Sequence, residues 1–246
     1  MYRLKQTVHC LGKWYCGRIN ESDFLDQEQR RSERPAGYRL NERPIEFSFV
    51  FRCLTRAYPN RVLDVGTGQG AFPTLMSNCG FIVTATDNVR DYWPNGMYNR
   101  FFHVIDDDIT ATKLTEKFDF VTCISVLEHI KNHKDAVKSM ISLLNPGGHL
   151  VITCPYNENQ YIENVFSLSG SGHGGATNRY VCQVYSRREI NGWLRANSCT
   201  LVAQEYWRFY TGHYWTFGDS LLPPLKVGKN ESHQLTCLLI QKSTDE

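Results

Sequence analysis

The sequence lacks any long apolar run. No stretch of its 246 residues approaches the roughly 18 consecutive apolar residues that suggest a membrane-spanning helix. The first residues, MYRLKQTVHCLGKWYCG, also lack the continuous apolar core of a signal peptide. The sequence therefore predicts neither a membrane span nor secretion, and we expect a cytoplasmic location.

An excess of charge of one sign is missing too. The formal net charge is +2, and the densest basic region, Arg30-Arg31-Ser32-Glu33-Arg34, is interrupted by an acid. A protein that binds the phosphates of nucleic acid usually carries a basic stripe or patch. We therefore interpret this region as a solvated helix face and do not expect nucleic acid as a partner.

The cysteines form no disulfide or zinc pattern. There are nine, an odd number, with no CxxC pair, and several lie in apolar runs such as QLTCLLI, as buried free thiols do in a reducing compartment. His129 and His133 have a spacing that can bind zinc, but no cluster of further ligands is nearby. We predict no metal site and take both histidines as solvated helix residues.

From Arg61 onward, short apolar runs alternate with helix-like segments. The predicted strands are RVLDV, FIVTATD, FFHVIDDD, FDFVTCIS, HLVITCP, TLVAQEYW and QLTCLLIQK; the helices between them include AFPTLMSNCG, KNHKDAVKSMISLL and SRREINGWLRANS. The last helix opens with a capping box, Ser186 and Glu189. This alternation predicts an α/β fold with a doubly wound, mostly parallel sheet between two helical layers.

Three regions interrupt the alternation. Residues 1–45 are polar and helix-prone and predict an N-terminal helical cap on a domain covering residues 46–246. Residues 156–185 and 208–233 are long connections rich in aromatic residues. Ligands of such folds bind beyond the carboxyl ends of the strands, so we expect both connections to wall a substrate pocket, with ordered packing loops as the alternative.

The stretch VLDVGTGQGAF, residues 62–72, predicts a strand that enters a glycine-rich turn. Gly66-x-Gly68-x-x-Ala71 formally matches the dinucleotide fingerprint. However, a carboxylate at Asp64 would repel a diphosphate on the next helix by on the order of a few kcal/mol, whereas it would attract a cationic ligand. Glycines at 66, 68 and 70 also let the backbone pass close beneath a ribose and an amino-acid tail.

The motif LDVGTGQG resembles the first motif of class I S-adenosylmethionine-dependent methyltransferases, and further motifs occur in the family's order. Asp87 ends the second strand, DDDIT follows the third, CISVLEHI covers the end of the fourth, and LLNPGGHLVITCP resembles the turn and fifth strand. The resemblance covers roughly residues 44–154 and the last three elements. It implies a Rossmann-like, seven-stranded sheet with an antiparallel last strand.

The resemblance also implies which residues bind S-adenosylmethionine. Asp87 would accept hydrogen bonds from the ribose hydroxyls, Asp108 and Ile109 would contact the adenine (with Asp107 as the alternative acid), and Ser125 would face the methionine part. The implied set is Asp64, Gly66, Thr67, Gly68, Gly70, Asp87, Asn88, Asp108, Ile109 and Ser125.

The residues after the fourth and fifth strands disfavour several methyl acceptors. Ser125-Val126-Leu127-Glu128 replaces the Asp-Pro-Pro-Tyr type of run found in enzymes that methylate the amines of DNA and RNA. Cys154 lacks the companion Pro-Cys of RNA cytosine methylases, so we predict a buried strand residue. The expected reaction is methyl transfer to an oxygen, or with less support a nitrogen, of a small molecule or glycan precursor.

The two connections supply the candidates for acceptor recognition. Their rings can stack on sugar or aromatic faces: Tyr156, Tyr161, Phe166, Tyr180, Tyr185, Phe209, Tyr210, Tyr214, Trp215 and Phe217. Asn157, Glu158 and Asn159 add polar groups near the expected transfer point. Because an alcohol acceptor needs a base, His173 and His213 are the catalytic candidates.

Two rival hypotheses stay open at this point. A nicotinamide-dependent oxidoreductase could use the same glycine-rich turn, and a protein could bind the methyl donor without catalysis. The sequence does not indicate an oligomeric state, and it is compatible with a homodimer.

Overall fold

The computed structural model describes residues 42–93, 97, 99, 101–172 and 181–244. Eight strands of this part of the chain form one sheet: β1 Arg61–Val65, β2 Ile82–Asp87, β3 Val104–Asp106, β4 Phe118–Ile124, β5 Leu144–Pro155, β6 Cys199–Tyr210, β7 Ser220–Val227 and β8 Leu235–Lys242. Their order across the sheet is β3-β2-β1-β4-β5-β8-β6-β7.

Strands β1 to β5 are mutually parallel, whereas β8 runs antiparallel to both β5 and β6. This arrangement confirms the predicted Rossmann-like fold with a parallel core and an antiparallel last strand. The number of strands differs from the seven predicted, because β7 pairs with β6 as an added antiparallel edge strand.

Strand β7 lies inside the connection predicted over residues 208–233. Its sequence, SLLPPLKV, contains Pro223 and Pro224, and proline has no N–H to donate to a strand ladder. Two prolines argue against a central strand, but an edge strand tolerates them because one side of it has no partner strand. The sequence pattern therefore does not predict β7 as a strand.

Helices cover both faces of the sheet. Their bounds are α1 Arg43–Ala57, α2 Phe72–Asn78, α3 Val89–Tyr92, α4 His133–Ser142 and α5 Arg187–Ala196, with 3-10 turns at Ile109–Ala111, Leu127–His129 and Val165–Ser167. Neighbouring strand residues such as Val62 and Leu63 point to opposite faces. Val62 packs with α1 and α2, and Leu63 packs with α4 and α5, which explains why the central strands read as continuous apolar runs.

The start of α5 confirms the predicted capping box. The backbone N–H of Ser186 donates to Glu189 Oε2 at 3.2 Å, and the Arg188 N–H donates to Ser186 Oγ at 3.2 Å. His133, in contrast, is not the solvated residue predicted from its spacing. It is buried and accepts a hydrogen bond from Trp193 Nε1 at 3.1 Å.

Some predictions on domain layout and location stay untested. The N-terminal cap at residues 1–45 falls almost wholly outside the described residues, and the division from the domain at 46–246 stays a prediction. Within the described ranges, no helix has the length and apolar character needed to cross a membrane. The described cysteines are free thiols, and the cytoplasmic location remains a prediction.

Candidate active site

The glycine-rich turn joins β1 to α2 and is held against the end of β2. The N–H groups of Gly66 and Thr67 both donate to the Thr86 carbonyl oxygen, at 2.8 and 3.1 Å. Gly66 has a φ of +74°, and a Cβ there would lie 2.4 Å from the methyl carbons of Val126. Both facts require glycine, so this residue lets the turn pack directly on the segment after β4.

Asp64 lies beneath this turn, and only 3% of its surface is exposed. Its Oδ2 accepts a short hydrogen bond from the Thr67 hydroxyl, and its Oδ1 accepts one from the Thr122 hydroxyl at 2.6 Å. The carboxylate thus ties the turn to β4. Its expected attraction for a cationic ligand stays a prediction.

Asp87 stands at the carboxyl end of β2 and faces the turn. Its Oδ2 accepts the Gly68 N–H at 2.8 Å, its Oδ1 accepts the Trp93 indole N–H at 3.1 Å, and the Asn88 backbone N–H is a third donor. Burial raises the pKa of this carboxyl group, while those hydrogen bonds act in the opposite direction. Asp87 thus lies beside the glycine-rich turn at the end of β2, and its role toward the ribose stays a prediction.

The segment between β2 and β3 contributes two residues that the sequence analysis missed. Trp93 is one. Asn99 is the other. Its Nδ2 donates to the carbonyl oxygens of Gly68 and Gly70, both at 2.9 Å. Its Oδ1 accepts the N–H groups of Phe101 and Phe102, at 2.8 and 3.0 Å. All hydrogen-bonding positions of this amide are used, so Asn99 clamps the glycine-rich turn.

The residues predicted to contact adenine follow β3. Asp108 caps the 3-10 turn, its Oδ1 accepting from the Thr110 N–H and hydroxyl at 2.9 and 2.8 Å, and Ile109 is buried in the core beneath α4. Asp107, the alternative acid, is buried and bonds Thr112 and the Lys113 N–H. Their roles toward adenine stay predictions.

Ser125, which follows β4, has a φ of +49°, a conformation that is unusual for a residue other than glycine. Its N–H bonds the carbonyl and hydroxyl oxygens of Thr153, each at 3.1 Å. Its hydroxyl donates to Glu46 Oε1 at 2.6 Å, and the Thr153 hydroxyl donates to the same oxygen at 2.6 Å. Glu46, on α1, is fully buried and was also missed by the sequence analysis.

The two connections predicted to form substrate walls pack against each other. The first contributes Ile162, Val165, Cys182 and Val184 to a small apolar cluster, and the loop between β6 and β7 contributes Tyr214, Trp215 and Phe217. The Gly172 N–H donates to the Thr216 carbonyl at 2.8 Å, and the Tyr214 hydroxyl donates to Gln160 at 2.8 Å. The two connections thus form one structural unit.

The predicted catalytic histidines belong to these same connections. His213 lies in the β6–β7 loop and is exposed. Among the described residues, no hydrogen bond or ring contact joins it to the glycine-rich turn. His173 lies outside the described residues; Gly172, the residue before it, bonds the loop that carries His213. Both assignments stay predictions.

Not every predicted ring can wall a pocket. Tyr156 and Tyr185 are completely buried, and Phe209 is nearly so. The Tyr156 hydroxyl bonds Glu158 at 2.6 Å and the Tyr185 hydroxyl bonds the Leu127 carbonyl at 2.7 Å, so both rings are core residues with satisfied polar ends. Tyr180 lies outside the described residues. Tyr161, Phe166, Tyr210, Tyr214, Trp215 and Phe217 are partly exposed.

Glu158 and Cys154 lie at the end of β5 or just after it. Glu158 is bound by Arg187 and Lys229, at 3.2 and 3.3 Å, and these contacts hold the pKa of its carboxyl group below the usual value despite partial burial. Cys154 is buried in β5 as predicted, and burial raises the pKa of its thiol. A buried thiol of high pKa is a poor nucleophile.

The observed geometry fits an adenosyl donor. A Cβ at Gly68 would meet nothing nearer than the Trp93 ring at 3.9 Å, so the turn leaves room for close approach of a ligand, and the Asp87 carboxylate lies beside it. Ribose hydroxyls can donate to such a carboxylate. A diphosphate on the same turn would instead lie close to the Asp87 carboxylate, with the buried carboxyl group of Asp64 beneath the turn.

Comparison with known proteins agrees with this geometry. The profile of the family described as "Methyltransferase domain" matches residues 33–204. Ubiquinone biosynthesis O-methyltransferase of Alkalilimnicola ehrlichii is 30% identical over 136 residues, 52% of this chain and 54% of that protein. The enzyme of the same name from Coxiella burnetii is 27% identical over 173 residues, 65% of this chain and 71% of the relative. The chain spans about half the length of the first relative.

Solved structures show the same fold at low sequence identity. The 1,6-didemethyltoxoflavin-N1-methyltransferase of Burkholderia thailandensis, solved with 1,6-didemethyltoxoflavin and S-adenosylhomocysteine, has a TM-score of 0.54 at 18% identity over 93% of this chain and 89% of its own. An S-adenosylmethionine-dependent methyltransferase of Clostridium acetobutylicum has a TM-score of 0.51 at 13% identity, over 92% and 99%.

The sheet has the parallel core and antiparallel last strand of the class I methyltransferase fold, and the family match covers well over half of the chain. The chain belongs to the methyltransferase domain family. Methyl transfer from S-adenosylmethionine is the activity proposed below. Membership of this family argues against a nicotinamide-dependent oxidoreductase, whereas a protein that binds the donor without catalysis would match the same family.

Proposed function

We propose that this protein transfers a methyl group from S-adenosylmethionine to an oxygen atom of a small molecule or glycan precursor. The observation that carries the proposal is the similarity to O-methyltransferases of ubiquinone biosynthesis, which extends over 173 residues in the Coxiella relative. The particular acceptor of those enzymes does not carry over to this chain, because the identity is only 27%.

The residues after β4 support the same acceptor class. Ser125 and Val126 occupy the position where amine-methylating enzymes of nucleic acids carry a proline-rich run, and the Ser125 hydroxyl is already bonded to Glu46. Cys154 is buried with a raised thiol pKa, so attack on a base by this residue is disfavoured. These two observations disfavour nucleic-acid bases as methyl acceptors and leave small molecules as the proposed class.

S-adenosylmethionine, when bound, supplies a methyl group that is already activated for transfer to a nucleophile. The chain's part is to hold donor and acceptor in line and to exclude water. Asp87 would hold the ribose, the glycine-rich turn would accommodate the amino-acid tail, and the partly exposed rings of the two packed connections would cover the acceptor. An alcohol acceptor also loses a proton, for which His173 and His213 are the proposed bases.

An untargeted labelling experiment tests the proposal. The protein is incubated with S-adenosylmethionine carrying an isotope-labelled methyl group and a metabolite extract, and labelled products are identified by mass spectrometry. The Asp87→Asn variant serves as the matched control because it loses a proposed donor contact. We expect label in an ether or ester of a small molecule; label confined to nitrogen, carbon or macromolecules would contradict the proposal.

A further inference from the structure

Gln183 is a buried amide near the end of the first connection, residues 156–185, and only 2% of its surface is exposed. Its Nε2 donates to the carbonyl oxygens of Glu128 and Ile130, at 3.3 and 2.8 Å. Its Oε1 accepts the Tyr161 hydroxyl at 2.7 Å. Its backbone N–H also donates to the Glu128 carbonyl, at 2.9 Å. This one residue therefore forms three hydrogen bonds to the backbone that follows β4.

The neighbours of Gln183 attach the same part of the connection to the same place. The Tyr185 hydroxyl donates to the Leu127 carbonyl at 2.7 Å, and the Val181 carbonyl lies 2.7 Å from Nδ1 of His129. Leu127 and His129 bound the 3-10 turn after β4. Leaving a buried polar group without a partner costs free energy, so residues 181–185 separate from this turn only when several hydrogen bonds break together.

The turn after β4 also contacts the donor side of the site. Val126 directly precedes it and packs on Gly66 of the glycine-rich turn, where a Cβ would lie 2.4 Å from the Val126 methyl carbons. A ligand held by the glycine-rich turn restricts the movement of Gly66 and, through this contact, that of Val126. The turn after β4 therefore lies between the proposed donor site and the connection proposed to cover the acceptor.

We propose that Gln183 is a positioning residue that couples the two halves of the site: it fixes residues 181–185 to the turn after β4, so that binding of the methyl donor stabilises the first connection in its attached arrangement. Gln183 acts through the turn and is not a catalytic residue. Such coupling is reciprocal, so an acceptor that holds the connection in place also raises the affinity for the donor.

The proposal rests on the proposed function, in which the connection covers the acceptor, but the coupling can be measured with S-adenosylhomocysteine alone. A failure of the coupling would leave the result of the labelling experiment unchanged, and the two failures are therefore distinguishable.

Amide hydrogen exchange of the unaltered protein, with and without saturating S-adenosylhomocysteine, measures the opening of the connection. The N–H groups of Ile162, Val165 and Val184 form hydrogen bonds within the connection. We expect the ligand to slow their exchange by about fivefold or more, the lower end of typical coupling. Strand β7, at the far edge of the sheet, is the internal reference. No slowing in the connection, or equal slowing in β7, would overturn the proposal.

Two variants test whether Gln183 carries the coupling. Gln183→Met keeps the length of the side chain without its hydrogen-bonding groups, and Tyr161→Phe, the matched control, leaves the three bonds from Gln183 to the turn in place. In Gln183→Met the ligand should no longer slow exchange in the connection, and the Kd for S-adenosylhomocysteine should rise by a similar factor because the coupling is reciprocal.

Tyr161→Phe should keep both the slowing and the Kd. A merely structural role of Gln183 would lower the melting temperature without removing the effect of the ligand on exchange. Slowing that persists in Gln183→Met, or that is lost equally in both variants, would contradict the proposal. Thermal melting shows which variants fold, and the comparison on the unaltered protein stands without them.

Discussion

Replacing Asp87 by asparagine tests the donor site at its best-defined contact. The carboxylate accepts the N–H groups of Gly68 and Trp93 on different oxygens, at 2.8 and 3.1 Å. Asparagine keeps one acceptor oxygen and places an NH₂ where the other oxygen stood, so one of these donors and one ribose hydroxyl lose their acceptor. Stranding such partners costs about 1–3 kcal/mol, which corresponds to a rise in Kd of roughly 5- to 150-fold.

The same carboxyl group predicts a pH dependence. Burial raises the pKa of Asp87, and ribose hydroxyls bind best to the ionised form. As pH falls through this raised pKa, the carboxyl group becomes protonated and loses acceptor capacity, so the affinity for S-adenosylhomocysteine should fall. The contribution of Asp87 itself to folding stability has the opposite sign: a raised pKa favours the folded state at low pH, and this contribution is lost as pH rises.

The assay is isothermal titration of S-adenosylhomocysteine at a series of pH values from neutral down through the raised pKa of Asp87. The matched control is Asp106→Asn. Asp106 ends the neighbouring strand β3 and forms an ion pair with Arg90 at 2.8 Å, so it is a comparable acid without the contact to the turn. Asp87→Asn should weaken binding and flatten the pH profile, whereas Asp106→Asn should keep the affinity at neutral pH and move the profile to lower pH, because the charge of Asp106 contributes to the raised pKa of Asp87. Unchanged affinity in Asp87→Asn, or equal loss in both variants, would refute the assignment.

Three further variants test other parts of the account. Gly66→Ala combines a positive φ with a contact of 2.4 Å to Val126 and should lower the free energy of unfolding in urea by at least about 2 kcal/mol; a neutral result would mean that the turn packs differently. Asn99→Ala frees the carbonyls of Gly68 and Gly70 and should raise the KM for the donor while leaving the KM for the acceptor unchanged, once steady-state assays with an identified acceptor are possible. Ser186→Ala removes the cap of α5 and should cost about 0.5–2 kcal/mol in the same denaturation assay, with no effect on the affinity for the donor.

The parts of the fold that local pattern determines could be predicted. The central strands are continuous apolar runs because both faces are covered, and the capping box at Ser186 specifies the start of α5 from four residues. The glycine-rich turn could be predicted for the same reason, since its positive φ angles at Gly66 and Gly68 require glycine.

The parts that could not be predicted depend on contacts between residues far apart in sequence. Glu46 reaches Ser125 over 79 residues, and Asn99 reaches Gly68 over 31; neither contact leaves a periodic signal in the sequence. Polar residues such as these read as ordinary surface positions until the fold brings their partners near. His133 and Tyr156 were misjudged for the same reason: the contact of His133 with Trp193 and the packing of Tyr156 against Tyr206 and His233 are not visible in the local sequence.

The most direct test of the account compares the ligands of the glycine-rich turn in one titration series. We predict that S-adenosylhomocysteine binds with micromolar affinity, that Asp87→Asn weakens this binding, and that NADH does not bind. Binding of NADH without binding of S-adenosylhomocysteine would contradict the central claim that this turn holds an adenosyl methyl donor.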